Sequence, residues 1–365
     1  MAFDEVAFDA QERVPLGRTN VAVTRLGFGT AEIGGLYHAV PDKDAEEVLE
    51  HAWSTGVRYF DTAPLYGYGN AERRLGAMLR DKPRDDFVVS TKVGRLLLPV
   101  GDIPADADVD RQQRDGVEDA FYEGTPPVRP VFDYSYDGVL RSVEESLGRL
   151  GLDRVDILYI HDPDDHWEAA ISGAYPALRR LRDEGVVRAI GAGMNQWEML
   201  TRFAREGDFD AFMVAGRYTL LDHGALAELV PACREKGIAM VAVGVMNSGI
   251  LANPRPGATF NYAPAADHVI QRAQRIAAVC ERHGIPIRAA AIQFPLAQPV
   301  VASLATGVRT VEHFDDYPRY MALTIPGGFW EDLRAEGLID PGAPVPPAPG
   351  GARSESSSAD GTAGR

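Results

Sequence analysis

The chain predicts an α/β fold: an eight-stranded parallel (β/α)8 barrel of TIM type, with an N-terminal hairpin and long βα loops. Three observations predict it. Short β-rich runs alternate with longer segments whose apolar residues recur at helical spacing, a pattern that implies parallel strands joined by crossover helices. The strand runs number eight, the count that closes such a barrel. A length of 365 residues at 45% hydrophobic content can bury one large core.

In chain order, the hairpin comes first: residues 14–24 alternate polar and apolar around a Gly17-Arg18-Thr19-Asn20 turn and are placed to close the barrel floor. The strand runs follow at 25–29, 57–60, 87–91, 155–160, 187–192, 211–215, 239–244 and 300–304. Between them, and after the last, the helical pattern covers 42–54, 70–80, 136–150, 167–184, 197–205, 223–236, 266–283 and 311–320. Glu184-Gly185 and Lys236-Gly237 each end a helix on a glycine suited to a left-handed conformation. Asp42 is the expected N-cap of its helix, with Glu46 near the positive end of the dipole. Residues 96–132 are acidic, irregular and too long for an ordinary connection, which marks a functional loop. The barrel is expected to span 1–340, and the Pro, Gly, Ser and Ala composition of 341–365 predicts a disordered tail.

Composition narrows the function classes. With 53 acidic against 37 basic residues and a net charge of -16, the chain has no broad basic face for nucleic acid or an anionic membrane. Cys233 and Cys280 are too few for a disulfide framework and read as small buried residues. No run of about 18 apolar residues occurs, and the first residues lack the basic and apolar regions of a leader, so a cytoplasmic protein is expected.

In this barrel type the C-terminal ends of the strands form the active-site face, so a polar residue that ends an apolar run is a candidate by position. Asp61, Lys92 and His161 each end one, and Tyr66 follows Asp61 by one short loop. Taken singly, Asp61 reads equally as a cap or turn residue, Tyr66 as a packed aromatic and His161 as a satisfied structural histidine. Lys92 is harder to set aside. The chain holds only four lysines, Lys43, Lys82, Lys92 and Lys236, and otherwise uses arginine for positive charge. A compact ammonium that can share a proton is what arginine cannot supply. Together the four suit hydride-transfer chemistry: Tyr66 as general acid-base, its pKa of about 10 lowered by Lys92, Asp61 holding Lys92, and His161 orienting the substrate oxygen. The hydride itself belongs to a nicotinamide cofactor. The glycine fingerprint of a dinucleotide fold is absent, since GFGTAE, GYGNAE and GAGMNQ lack the third glycine. A barrel would instead grip the pyrophosphate with the loops after its seventh and eighth strands, here residues 245–251 and 306–313, the second of which leads into a helix N-terminus.

FDTAPLYGYGNAERRLG, STKVGR, SVEESLGRLGLDRVDILYIHDPD and IGAGMNQW resemble the successive motifs of the aldo-keto reductases, from about residue 14 to 320. The resemblance implies that Asp61, Tyr66, Lys92 and His161 are that family's catalytic tetrad. KVGR, HDPDD and GMNQW further resemble the branch holding the aldose 1-dehydrogenases and pyridoxal 4-dehydrogenase, which oxidise a cyclic hemiacetal to a lactone. The implied reaction is therefore NAD(P)-dependent oxidation of an aldose of L-fucose or D-arabinose type at C1. The alternatives are NADPH-dependent aldehyde or ketone reduction and pyridoxal oxidation.

By the same resemblance the cofactor contacts fall on Gly29, Thr30, Asp61, Met194, Asn195, Val243, Met246, Asn247, Ser248, Gly249, Leu251, Gly307 and Arg309. Asn195 takes the nicotinamide carboxamide position. Met194, Ala215, Val243 and Tyr317 stand where other members carry serine, glutamine, an aromatic residue and asparagine. Arg309 is the base placed to meet a 2′-phosphate, and NAD is expected over NADP. Tyr37, Leu65, Tyr66, His161 and Trp197 are the expected substrate contacts. Two rival readings are a metal-dependent hydrolase using ligands within 161–166 and a nucleotide-binding scaffold without turnover. The first lacks a second histidine cluster and the second a broken tetrad, so no metal is expected.

Overall fold

Eight parallel strands close into a barrel, in the order in which they occur along the chain. They are β1 Leu26–Gly29, β2 Tyr59–Asp61, β3 Val88–Val93, β4 Ile157–His161, β5 Ala189–Met194, β6 Ala211–Ala215, β7 Ala239–Val243 and β8 Val301–Thr306. The computed structural model describes residues 7–347 except 112, 115, 116, 119 and 120. Every predicted strand forms within three residues of its expected bounds. The sheet's register then sets the site: Asp61 pairs with Ser90, Lys92 with Tyr159, and His161 with Gly193. Side chains alternate across a strand, so Tyr59, Asp61, Ser90, Lys92, Tyr159 and His161 all face the barrel interior. The lower members pack with Val88, Ile157, Met213 and Val241 as the inner core, and Leu16, Val21 and Val23 plug the floor from the hairpin of Arg13–Pro15 with Ala22–Thr24. The upper members, Asp61, Lys92 and His161, end at the mouth.

The larger core lies between the barrel and its helices. These are α1 Asp42–Ser54, α2 Asn70–Leu79, α3 Tyr136–Leu150, α4 Tyr175–Asp183, α5 Trp197–Glu206, α6 Leu229–Lys236, α7 Asp267–His283, α8 Ile287–Leu296, α9 Val311–Ala322 and α10 Gly327–Ala335. α8 and α10 are not expected from the periodicity. α8 reads IRAAAIQFPL and is buried from Ala289 to Leu296, so it has no polar face to supply a period. α10 is short, nine residues, and is preceded by the extended Pro326 at its N-cap. The helix expected over 167–184 is interrupted by a π turn, Ala170–Ala174, immediately before α4, where Pro176 lacks an N–H. There Gly173 lies so close to the Tyr134 carbonyl that a Cβ would sit 2.5 Å from that oxygen. The helix expected from 223 opens as a 3-10 turn, Gly224–Leu226, before α6.

Gly185 and Gly237 are left-handed, as their positions predict. Asp42 is not the cap of α1: Pro41 holds that position without a side-chain bond, and the Asp42 carboxylate pairs with Arg74 instead. The excursion after β3 is more ordered than its composition suggests. Arg95–Pro99 pairs antiparallel with Val128–Phe132, so the loop leaves and re-enters as a ribbon. The start of the presumed tail is docked: Ala343 is buried and its carbonyl accepts a hydrogen bond from Arg334. The rest of the expected tail, residues 348–365, lies outside the described residues.

Candidate active site

Lys92 is buried at the end of β3, and its Nζ donates to Asp61 Oδ2 at 2.6 Å and to the Thr62 carbonyl at 3.1 Å. Ser90 Oγ donates to the other carboxylate oxygen at 2.6 Å, so both Asp61 oxygens are held. Gly193 lies beside the lysine stem: a Cβ there would stand 3.8 Å from Lys92 Cε, an ordinary contact. Lys92 Nζ sits 4.5 Å from the centroid of the Tyr66 ring, and His161 meets that ring edge-on at 5.7 Å. The four residues expected to act together are thus neighbours at one rim.

Tyr66 is placed by a close approach of two loops. Gly67 is left-handed at φ +62°, and a Cβ there would lie 2.0 Å from the Gly34 carbonyl oxygen, so only glycine lets the turn after β1 rest on the tyrosine's backbone. His161 is held from behind. Arg95 Nη1 donates to its carbonyl at 2.7 Å and Tyr134 Oη at 2.6 Å, while Arg95 Nε is anchored by Asp110 at 2.5 Å.

Burial dominates the electrostatics. It pushes the Asp61 carboxyl above the usual range, against the pull of Lys92 and Ser90. It pulls His161 well below its ordinary value, helped by Arg95 and Lys92, so the imidazole is neutral near pH 7. It pushes the Tyr66 phenol well above 10, and the charges of Asp61 and Asp162 add to that. This reverses the expectation that Lys92 lowers the phenol: the ammonium is spoken for by Asp61, and desolvation wins.

Above the tetrad stands an aromatic wall. Leu65, Tyr68 and Tyr122 are buried together, with Tyr66, Leu36, Leu97 and Phe121 against them. Tyr37 meets Phe121 at 5.8 Å, and Phe121 meets Tyr262 at 6.2 Å. Tyr262 tops a hairpin of Thr259–Phe260 with Ala263–Pro264, whose turn residues Asn261 and Tyr262 are both left-handed. The hairpin after β7 therefore touches the ribbon after β3 across the mouth. Tyr122, Phe121 and Tyr262 were not singled out from sequence, because aromatic residues in long loops carry no period.

The other expected contacts divide. Gly29 pairs with Asp61 in register, and Thr30 donates its N–H to the Asp61 carbonyl, so the end of β1 adjoins the tetrad. The buried hydroxyls of Thr30 and Thr62 have no hydrogen-bond partner among the described residues. Gly307 is hemmed in, since a Cβ would lie 3.0 Å from the Gly29 oxygen and 3.1 Å from Glu32 Cγ. Asn195 is half-buried at the end of β5, Val243 ends β7 against the inner core, Met246 is half-buried, and Ser248 and Gly249 are exposed. Met194 is one residue past Gly193, so strand alternation turns it out of the mouth into the helix-side core. Leu251 belongs to that core too. Asn247 spends its side chain internally, accepting from Thr219 Oγ1 at 2.7 Å and donating to the Gly216 carbonyl at 3.0 Å. Trp197 is half-buried at the start of α5, against Gly224 and the helix-side core. Arg309 is paired: its Nε lies 3.0 Å from Glu32 Oε2. Among the described residues no cluster of three or more His, Cys, Asp or Glu could hold a metal ion, and no helix is long and apolar enough to cross a membrane.

Residues 25–335 match the model of the Aldo/keto reductase family. The chain is 45% identical over 323 residues to a D-threo-aldose 1-dehydrogenase from a Pseudomonas species, covering 87% of this chain and 95% of that one. It is 42% identical over 349 residues to a pyridoxal 4-dehydrogenase from Microbacterium luteolum, covering 90% and 98%. Among solved structures, the holo form of an aldo-keto reductase from Bacillus halodurans shares the fold, with a TM-score of 0.68 at 22% identity over 90% of this chain and 97% of that one. The chain belongs to the aldo/keto reductase family, whose members are NAD(P)-dependent oxidoreductases.

Proposed function

We propose that this enzyme oxidises the anomeric carbon of an aldose of L-fucose or D-arabinose type to the lactone, with NAD preferred and NADP tolerated. The observation that carries the reaction type is the buried Asp61–Lys92 pair set against the face of Tyr66 beside a neutral His161. The substrate class follows the 45% identity to the D-threo-aldose 1-dehydrogenase.

In this reading Tyr66 Oη takes the proton of the C1 hydroxyl as the C1–O double bond forms, and His161 hydrogen-bonds the same oxygen. Lys92 stabilises, through the ring face, the phenolate that accepts this proton, and Asp61 fixes the lysine. Bound nicotinamide dinucleotide supplies the hydride acceptor and, when oxidised, a positive charge that favours the phenolate. The surroundings suit that cofactor. Gly29 and Gly307 permit close backbone approach, the hydroxyls of Thr30 and Thr62 lack partners among the described residues, and Asn195 stands half-buried at the rim. Val243 and Met246 would line the groove, and Ser248, Gly249 and the backbone of Asn247 would meet the pyrophosphate from the loop after β7.

Glu32 supports NAD over NADP. Its carboxylate neutralises Arg309 and lies against Gly307, where it would repel a 2′-phosphate. The runner-up, reduction of an aldehyde with NADPH, is favoured by the raised Tyr66 phenol, which suits a general acid. Pyridoxal oxidation is favoured by the aromatic wall of Tyr37, Phe121 and Tyr262, which suits a flat ring. Near-ultraviolet absorbance of purified enzyme with NAD or NADP and L-fucose, D-arabinose, L-galactose or pyridoxal separates the three. Reduced cofactor appearing with a sugar supports the proposal. Turnover only with aldehydes and NADPH, or only with pyridoxal, replaces it.

A further inference from the structure

Directly after His161 stands a residue that none of the preceding chemistry uses. Asp162 has a left-handed backbone at φ 40°, a region uncommon for residues bearing a Cβ and one that aspartate enters more readily than most. The Asp162 N–H donates to the Gly193 carbonyl at 3.0 Å, and its carbonyl lies 2.9 Å from Tyr134 Oη, whose one proton it shares with the His161 carbonyl. The result is a carboxylate in the cleft with Oδ2 3.5 Å from His161 Nε2, its side chain 30% exposed. Yet it accepts no hydrogen bond from any described residue, although Arg95 is close enough to act on its charge. Its charge also raises the phenols of Tyr66, Tyr122 and Tyr262. A left-handed backbone that holds beside the reacting centre a carboxylate with no hydrogen bond from any described residue points to function.

The geometry points to Asp162 as the substrate-recognition residue that accepts a hydrogen bond from the hydroxyl on the carbon next to the one oxidised. This rests on the proposed function. The substrate oxygen at the reacting carbon is to meet Tyr66 and His161, and two vicinal oxygens are separated by a span comparable with the gap between His161 Nε2 and Asp162 Oδ2. The partner that fits is a 2-hydroxy aldose. A substrate without that hydroxyl leaves the carboxylate facing an apolar hydrogen, a loss that hydrogen bonds to charged groups put at about 10–150-fold in kcat/KM. Burial, with Asp164 and Asp110 near, raises the carboxyl to about 6 against the pull of Arg95, so near pH 8 it is an ionised acceptor.

The test compares an aldose with its 2-deoxy counterpart, in the intact wild-type enzyme and in Asp162→Ala and Asp162→Asn, with NAD. Wild type is expected to prefer the hydroxylated sugar by about 10–150-fold, Asp162→Ala by less than about threefold, and Asp162→Asn, which keeps an acceptor oxygen, by an intermediate factor. The ratio is decisive because damage to His161 alone would lower both sugars together. A wild-type ratio near one, or the same ratio in Asp162→Ala, overturns the assignment. If wild type oxidises neither sugar, the aldose reading falls. The same comparison is then made in reduction, lactaldehyde against propanal with NADPH: a preference for lactaldehyde that Asp162→Ala abolishes keeps Asp162 in this role, and equal rates remove it.

Discussion

The two halves of the barrel mouth are built from different materials. At β2, β3 and β4 the site consists of side chains, Asp61, Lys92 and His161, each ending a strand and each held by named partners. Around β5, β7, β8 and β1 it consists of backbone and small residues: Gly29, Gly307, Gly249 and the left-handed pair Asn247 and Ser248, while the larger side chains nearby turn into the core or pair with one another. Proton transfer needs a few groups at fixed distances, whereas a long anionic cofactor needs room and amide dipoles. Changes in the first half should therefore act on rate and stability together, and changes in the second on cofactor choice.

The largest effect is expected for Lys92→Met. It leaves the Asp61 carboxylate buried without its cation, which should lower stability by about 3–5 kcal/mol and kcat by about 10²–10⁴-fold, read by thermal melting and steady-state kinetics. Adding Asp61→Asn should recover much of the melting temperature and none of the activity. Recovery of activity would break the division between the halves. On the cofactor side, Glu32→Gln should raise kcat/KM for NADP relative to NAD by about tenfold with little change in kcat for the sugar, because it frees Arg309 and removes a negative charge. A lost kcat with an unchanged cofactor ratio would place Glu32 in the catalytic half.

The raised Tyr66 phenol gives a pH test of the first half. Because the free enzyme holds the phenol protonated, oxidation, which needs the base, should accelerate as pH rises through the alkaline range. Reduction, which needs the acid, should stay flat over the same window. The smallest effect belongs to Trp197→Phe. That ring packs against Gly224 and the helix-side core, so kcat/KM for the sugar should change by less than about threefold.

What was legible in the sequence follows the same division. Asp61, Lys92 and His161 were readable because a charge that ends an apolar strand run breaks the pattern, and Lys92 also breaks the chain's preference for arginine. For Met194 and Leu251 the motif position did not report which way the side chain turns. Strand alternation from Gly193 sends Met194 outward, and the turn after β7 buries Leu251. The Asn247 side chain looked available in the sequence, because a loop amide shows no partners until Thr219 and Gly216 are seen to hold it. Glu32 and Asp162 were passed over for the converse reason: a loop carboxylate reads as solvated. The one local signal at Asp162 was its place immediately after His161. α8 was missed because a helix buried all round shows no period.

The central claim is that Tyr66 moves the proton for hydride transfer between a sugar and a nicotinamide cofactor. Its most direct test is Tyr66→Phe, with single-turnover formation of reduced cofactor from L-fucose and NAD measured beside cofactor binding by fluorescence quenching. The hydride-transfer step should fall by about 10²–10⁴-fold while NAD binds as in wild type. Wild-type turnover by the phenylalanine variant would contradict the assignment of the acid-base group.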